Sequence, residues 1–199
     1  NTDDIKFQMI LIFKNKSATI KENIRNLIKG YLTFRGGNIM YLKIENIKKY
    51  YGQGENKIEV LRGIDCGVEK GEICVMLGPS GSGKSTLLNL IGGIEHIDGG
   101  HILVGDTDLS KLSRKELALY RRNTLGFIFQ FYHLVPNLTV KENIESGAYL
   151  SKNPISVEEL METLGLTEHQ NKYPNQLSGG QQQRTAIGRA LAKNPSLLL

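Results

Sequence analysis

A glycine-rich segment of nine residues has the residue types and the spacing needed to bind phosphate. It fits the pattern G-x-x-x-x-G-K-[ST] and reads Gly78-Pro79-Ser80-Gly81-Ser82-Gly83-Lys84-Ser85-Thr86. Successive glycines let backbone N–H groups turn inward around a polyphosphate. The Lys84 ammonium would then reach the β- and γ-phosphates, and the Ser85 hydroxyl would ligate Mg²⁺. The segment therefore predicts a site for a nucleotide and Mg²⁺.

The elements on both sides of this segment are the ones that a phosphate-binding loop requires. Residues 72–77 are mostly apolar and predict a buried strand that leads into the loop. Residues 85–91 predict a helix that leaves the loop, and its N-terminus would add the positive end of the helix dipole. A flexible glycine loop ahead of an ordinary helix is the alternative, and the two flanking elements argue against it.

A second glycine turn follows 91 residues after Thr86 and reads Leu177-Ser178-Gly179-Gly180-Gln181. It predicts a helix over 181–193, with the Ser178 hydroxyl and bare N–H groups directed outward. The motif resembles the signature of the ABC-type ATPases. That resemblance implies that two copies dimerise head to tail, and that the γ-phosphate held by Lys84 of one copy is contacted in the other by Ser178, Gly179, Gly180 and Gln181. A serine-capped helix without this function is the alternative.

The same resemblance implies two further contacts with ATP. Residues 125–130 predict a short apolar strand that ends in Gln130, as the Q-loop of the family does. Gln130 would contact Mg²⁺ and the attacking water through its amide oxygen. Tyr51 stands ten residues before Leu61 and resembles the aromatic residue that stacks on adenine in this family. Tyr50 is the competing candidate, and an ordinary tyrosine at a strand end is the structural alternative.

The predicted fold class is α/β, a P-loop NTPase of ABC type with a RecA-like nucleotide-binding core. An antiparallel β subdomain is predicted from residues 41–47, 57–68 and 102–105, and the core from 72–91, 125–130 and 196–199. A helical subdomain that carries the signature is predicted over about 137–175, with its clearest helices at 138–144 and 157–164. A further helix is predicted at 113–122, where Ser113 and Glu116 have the spacing of a capping box.

Residues 1–39 precede the predicted start of the ATP-binding domain, which would cover residues 40–199. They carry seven Lys or Arg against three Asp or Glu, so +4 of the net charge of +5 lies in this segment. This distribution argues against nucleic-acid binding by the ATPase domain. Ser17 is expected to cap a basic amphipathic helix over 17–29, which could lie on an anionic membrane surface. The competing hypothesis is a non-native extension, because codons for residues 35–39 can form a purine-rich ribosome-binding sequence before Met40.

Composition predicts a single globular domain rather than a membrane-spanning or disulfide-rich protein. The chain has 199 residues, of which 40% are hydrophobic, enough for a sizeable core. Cys66 and Cys74 are predicted as small core residues in a reducing compartment. No apolar run approaches the length of a transmembrane helix. The remaining polar residues are expected at the surface or in loops, without metal or catalytic roles: His96, His101, His133, His169, Asp106, Asp108, Glu158 and Glu159.

Within the ABC group, residues 52–61, 127–139 and 181–183 are similar to ATP-binding subunits of macrolide-export and lipoprotein-release systems. This similarity implies a membrane permease as partner and a cytoplasmic location, peripheral on the inner face of the cell membrane. The aromatic residues over 129–132 would form part of the groove for the coupling helix of the permease, with plain core packing as the alternative. A soluble ABC ATPase of the translation-factor or DNA-repair kind, or a degenerate regulatory cassette, are the other classes that remain open.

The chain ends in an apolar run over 196–199. In this family such a run is the strand that leads to the Walker B aspartate and the neighbouring catalytic glutamate. Both residues, and the switch histidine, are therefore expected beyond Leu199. The full gene product is expected to be an ATPase, and these 199 residues are expected to lack hydrolysis by themselves.

Overall fold

A computed structural model describes residues 7–9, 40–149 and 151–199, with the backbone alone for 7–9. The described chain divides into two compact units, the first ending at Leu117 and the second running from Ala118 to Leu199. The predicted helix over 17–29 lies outside the described residues. Eight strands are described in chain order: β1 (Phe7–Met9), β2 (Met40–Tyr51), β3 (Ile58–Glu69), β4 (Val75–Met76), β5 (Gly99–Val104), β6 (Thr107–Asp108), β7 (Leu125–Gly126) and β8 (Leu197–Leu198). Five α-helices accompany them: α1 (Lys84–Ile91), α2 (Arg114–Asn123), α3 (Val140–Ala148), α4 (Val157–Thr163) and α5 (Gly179–Ala192).

A four-stranded antiparallel sheet in the order β3-β2-β5-β6 dominates the first unit. Alternate residues of β2 are buried, as the period of a half-buried strand requires, and Leu42 and Ile44 face the core. The alternation breaks at Asn46, which has φ of +47° where the β2–β3 register shifts, so the strand contains a bulge. Beyond the bulge Ile47 is again fully buried. The predicted antiparallel layer is confirmed.

The strand that leads into the phosphate-binding loop is shorter and more exposed than the sequence predicts. Only Val75 and Met76 form β4, which pairs antiparallel with β1. Ile73 is 42% exposed and Leu77 is 48% exposed, so the prediction of a fully buried strand over 72–77 is wrong. The physical reason is that both residues lie outside the short ladder, and among the described residues no strand covers them there.

Within the described residues, helices form where the sequence predicts them. The helix α1 buries Leu87, Leu90 and Ile91 on one face. The helix α2 begins with the predicted capping box: the Ser113 N–H donates to the Glu116 carboxylate at 2.8 Å, and the Glu116 N–H donates to the Ser113 hydroxyl at 3.3 Å.

Three helices pack together in the second unit, and small residues set how closely α3 and α5 approach. A β-carbon on Gly147 would lie 2.0 Å from the Arg189 carbonyl oxygen, so only glycine fits at this crossing. Ile144 of α3 and Ile187 of α5 are among the fully buried residues of the unit. The helices predicted at 138–144 and 157–164 correspond to α3 and α4.

The strands β7 and β8 pair in parallel, with Leu125 opposite Leu197. Hydrogen bonds continue past the ladder, because the Ile128 N–H donates to the Leu199 carbonyl at 2.8 Å. The predicted strands at 125–130 and 196–199 are therefore neighbours, although each is shorter than predicted. In the described part of the chain no helix is long and apolar enough to cross a membrane.

Candidate functional site

The phosphate-binding loop has the backbone geometry that its glycines predict. Gly81 and Gly83 adopt φ of +81° and +89°, in the left-handed region that other residues rarely occupy. A β-carbon on Gly83 would lie 2.7 Å from the Leu61 side chain, and one on Gly78 would lie 2.7 Å from the Ser82 hydroxyl. Any larger residue at these positions would distort the loop. The loop lies in the first unit.

Lys84 closes this loop with its own ammonium group. The Nζ atom donates to the carbonyl oxygens of Gly78 at 2.8 Å and Pro79 at 2.7 Å, and lies 3.3 Å from the Ser82 hydroxyl. The Lys84 ammonium therefore points into the concave side of the loop. It is placed where a cation can neutralise a phosphate bound in the loop.

The N-terminus of α1 offers N–H donors for an anion and a hydroxyl ligand for a cation. Its N-cap residue is Gly83, which supplies no side-chain cap, so the first N–H groups of the helix keep their capacity to donate. Ser85 is exposed, and its hydroxyl has no hydrogen-bond partner among the described residues. A hydroxyl oxygen is a ligand type that Mg²⁺ accepts, so Ser85 fits the predicted metal role.

Of the two candidate tyrosines, Tyr51 is the one connected to the helix that leaves the loop. Its hydroxyl donates to the Glu95 carboxylate, which also accepts from the Asn89 side chain of α1. Burial, followed by the Glu95 hydrogen bond, raises the pKa of Tyr51. Tyr50 instead has the Lys57 ammonium over its ring, 4.1 Å from the centroid, and its pKa is raised chiefly by a hydrogen bond with Glu59. The structure thus favours Tyr51 over Tyr50, and Tyr51 remains 41% exposed.

The signature segment begins α5 in the second unit and caps it. The Ser178 hydroxyl accepts from the Gln181 N–H at 3.3 Å, and the Gln181 side-chain oxygen accepts from the Ser178 N–H at 2.8 Å. The serine cap considered as an alternative is therefore present. It leaves the Ser178 O–H able to donate, and Ser178 and Gly179 are exposed.

Nothing inside the unit requires glycine at the two central signature positions. A β-carbon on Gly179 would meet its nearest atom, the Tyr132 hydroxyl, at 3.9 Å. One on Gly180 would lie 3.8 Å from the Arg184 guanidinium. Neither residue has a positive φ. Packing inside the unit therefore leaves room for a methyl group at both positions.

His169 supports the signature, a role that the sequence analysis missed. The Gln181 side-chain nitrogen lies 2.8 Å from His169 Nε2, so a neutral ring accepts this bond at Nε2 and carries its proton on Nδ1. The His169 Nδ1 atom is buried and has no hydrogen-bond partner within the part of the chain that the structure describes. His169 is half-buried in a short 3₁₀ turn and contacts the signature directly. The sequence offers no signal for this contact, because a lone histidine in a polar segment is usually a surface residue.

Gln130 lies exposed in the turn that follows β7, in the second unit. The Tyr132 N–H donates to the Phe129 carbonyl at 3.1 Å, which closes the turn. Arg189 of α5 then donates to the carbonyl oxygens of Tyr132 at 2.8 Å and His133 at 2.6 Å. Both of these residues have positive φ, so the Arg189 guanidinium stabilises a strained turn. Burial lowers the pKa of Arg189.

The Asp108 side chain is largely shielded from solvent, so the prediction of a solvated carboxylate is wrong. Its side chain is only 15% exposed and contacts His101 at 3.0 Å and Lys111 at 3.1 Å. Burial acts to raise the pKa of Asp108, but hydrogen bonds from Ser110, Lys111 and His101 lower it to about 2. His101, predicted at the surface, is exposed and binds Asp108 from a neighbouring strand.

Cys66 and Cys74 are half-buried free thiols, and burial raises the pKa of Cys66 to about 12. The prediction of buried core residues is therefore met only in part. In the ranges that the structure describes, no group of three or more His, Cys, Asp or Glu could hold a metal ion.

Comparisons with known proteins agree with these motifs. Residues 61–199 match the protein family described as ABC transporter. An ABC transporter ATP-binding protein of Mycoplasma pneumoniae is 46% identical over 160 residues, which cover 79% of this chain and 34% of that protein. The bacitracin export ATP-binding protein BceA of Halalkalibacterium halodurans is 44% identical, over 79% of this chain and 64% of the relative. The lipoprotein-releasing system ATP-binding protein LolD of Zymomonas mobilis is 42% identical, over 79% of this chain and 70% of that protein.

The chain spans about a third of the length of the Mycoplasma relative and about two thirds of BceA. Among solved structures, the dimeric post-hydrolysis state of the ATP-binding cassette MJ0796, bound to ADP and Pi, has a TM-score of 0.69 at 37% identity. That match covers 79% of this chain and 72% of the cassette. The likeness confirms the predicted fold class.

Proposed function

The chain belongs to the ABC transporter family, and from that membership we propose that it is an ATP-binding subunit that couples ATP binding and hydrolysis to a membrane permease. The observation that carries the proposal is the phosphate-binding loop. Lys84 points into a loop whose two left-handed glycines are already in place, next to an uncapped helix N-terminus. These are the features that a triphosphate requires.

Backbone and side-chain groups of the loop, together with Tyr51, have proposed roles that follow from their atoms. Lys84 neutralises the β- and γ-phosphates and exchanges its bonds to Gly78 and Pro79 for bonds to phosphate oxygens. The backbone N–H groups from Gly81 to Thr86 donate to the same phosphates. The Ser85 hydroxyl would hold Mg²⁺, which would neutralise phosphate charge when bound. Tyr51 stacks on the adenine ring with its exposed face.

The second half of the site is proposed to act on a partner copy. Ser178 presents an exposed hydroxyl, and Gly179 and Gly180 present helix N-terminal N–H groups, which suit the γ-phosphate held by Lys84 of a second copy. Gln181 holds the Ser178 hydroxyl in place through the capping box. This proposal is supported by the room for a β-carbon at both glycines, whose nearest neighbours would lie 3.9 Å and 3.8 Å away, so packing inside the unit does not require glycine there. The cassette MJ0796 is a dimer in its solved structures. Head-to-tail dimerisation of this chain is therefore proposed.

The turn after β7 is proposed to contact the permease and to sense the nucleotide. Gln130 is exposed, and its resemblance to the Q-loop residue of the family implies that its amide oxygen would contact Mg²⁺ and the attacking water. Phe131 next to it is 75% exposed, and Phe129 stacks on Phe127 with ring centroids 4.4 Å apart. An exposed aromatic residue at this position suits a coupling helix of a membrane partner. With such a partner the subunit lies on the cytoplasmic face of the membrane.

ATP binding by Lys84→Ala tests the proposal. Each charge-assisted hydrogen bond from Lys84 to phosphate contributes about 1.5–3 kcal/mol, so losing two should weaken ATP binding more than roughly a hundredfold. Lys115→Ala, at an exposed lysine of α2, is the matched control and should bind ATP as the unaltered chain does. Calorimetric titration measures both affinities, and thermal unfolding verifies that both variants fold. Undiminished ATP affinity in a folded Lys84→Ala protein would exclude the assigned site.

A further inference from the structure

Residues 95–98, in the segment that follows α1, contact the end of β2, where Tyr51 lies. The Lys49 ammonium donates to the His96 carbonyl at 2.7 Å and forms an ion pair with Asp98 at 3.3 Å. The Tyr50 N–H donates to the same Asp98 oxygen, Oδ2, at 2.8 Å. Three contacts therefore hold residues 49 and 50, which directly precede Tyr51, against His96 and Asp98.

Glu95 extends this contact to the Tyr51 ring itself. One Glu95 oxygen accepts the Tyr51 hydroxyl, and the other accepts the Asn89 side-chain N–H at 2.7 Å. Asn89 lies on α1, the helix that begins with Lys84 in the phosphate-binding loop. A continuous path of two hydrogen bonds thus joins that helix to the tip of the tyrosine ring.

The cation on the Tyr51 ring indicates which face is left for a ligand. The Lys49 ammonium lies over the ring, 5.4 Å from its centroid. Lys49 is itself buried and held by His96 and Asp98, so it stays on that side. The opposite face is the one on which a base can stack.

We propose that Glu95 is a positioning residue for the nucleotide base: bridging Asn89 and Tyr51, it fixes the tyrosine ring relative to the phosphate-binding loop before nucleotide binds. The inference rests on the proposed function, in which Tyr51 stacks on adenine. A carboxylate suits this position because its two oxygens accept from two donors at once. An ordered ring loses less side-chain entropy when the base stacks on it, so binding is tighter.

The proposal predicts weaker binding of the nucleotide base and unchanged binding of the phosphates. Glu95→Ala and Tyr51→Phe each break the bond between ring and carboxylate, and each keeps the aromatic ring. Both should weaken ATP binding by about three- to tenfold, the factor expected from ordering one side chain. Inorganic tripolyphosphate has no base, so its affinity should be unchanged in both variants. The double variant should be no weaker than either single variant, because both remove the same bond.

The experiment titrates the full chain and these variants with Mg-ATP and, separately, with tripolyphosphate. The matched control is Glu162→Ala, an exposed carboxylate of α4 that has no side-chain partner in the described residues. ATP affinity that is unchanged in Tyr51→Phe and Glu95→Ala overturns the proposal. Equal loss of tripolyphosphate affinity also overturns it, because that outcome means that the loop itself is disturbed.

A further variant, Tyr51→Ala, separates this proposal from the proposed function. If Tyr51→Ala weakens ATP binding while Tyr51→Phe does not, stacking stands and the Glu95 role fails. If Tyr51→Ala also leaves ATP affinity unchanged, the adenine contact assigned to Tyr51 fails as well. Should Glu95→Ala unfold, Tyr51→Phe tests the same bond from the other side.

Discussion

Replacing Gly180 by alanine should separate the stability of the chain from its function. The change adds one methyl group at the second position of α5, where glycine has an ordinary negative φ. Because the nearest atom is 3.8 Å from the added β-carbon, the methyl group fits in van der Waals contact. The folded chain therefore has room for it.

The expected effect of Gly180→Ala on the free energy of unfolding is small and favourable. Alanine is preferred to glycine in a helix by roughly 0.5–1 kcal/mol, so the free energy of unfolding should be unchanged or slightly raised. Gly147→Ala is the matched contrast. Its β-carbon would lie 2.0 Å from the Arg189 carbonyl oxygen, and overpacking of this kind costs about 1–3 kcal/mol.

The expected effect of Gly180→Ala on the affinity of the proposed dimer is large and unfavourable. A charge-assisted N–H to phosphate bond spans about 2.7–2.9 Å. A methyl carbon instead requires roughly 3.5–4.0 Å, so the phosphate must retreat from the helix N-terminus. Losing one such bond costs about 1.5–3 kcal/mol, which corresponds to a roughly ten- to hundredfold weaker dimer.

Two measurements check this prediction. Urea denaturation gives the free energy of unfolding, and sedimentation with a slowly hydrolysed ATP analogue gives the dimer affinity. Gly180→Ala should retain stability and lose dimerisation, whereas Gly147→Ala should lose stability. If Gly180→Ala destabilises the chain as much as Gly147→Ala, or dimerises normally, the assignment of the signature glycines to an outer ligand is refuted.

Three further predictions concern the second unit and the β5–β6 region. Ser178→Arg should leave ATP binding by the monomer intact, as titration would show, while sedimentation should show that dimerisation is blocked; equal loss of monomer binding would contradict an action in trans. Arg189→Met should lower the free energy of unfolding by about 1–3 kcal/mol in urea, because two carbonyl groups of the strained turn lose a charged donor. Asp108 has a folded pKa near 2, below its unfolded value, so its contribution to stability is present at neutral pH and is lost as the pH falls through that folded value. Asp108→Asn should therefore flatten the dependence of the unfolding midpoint on pH between about 5 and 2, and an unchanged acid profile would contradict this linkage.

The sequence alone determines those features whose partners lie a few residues apart. The phosphate-binding loop depends on glycines that permit left-handed backbone and on a lysine that bends back by five or six residues to Pro79 and Gly78. The capping boxes at Ser113 and Ser178 likewise join residues three apart. Such contacts form within one turn of chain, so residue types and spacing suffice to predict them.

Only the tertiary structure decides the contacts made across sheet and helix packing. Glu95 meets Tyr51 across 44 residues, and Arg189 meets the Tyr132 carbonyl across 57. The exposure of Leu77 likewise depends on how far a neighbouring strand extends. The register of strands and the crossing of helices set these distances, and no local pattern encodes either one. Sequence therefore predicts the groups proposed to bind phosphate, while the fold decides which residues orient them.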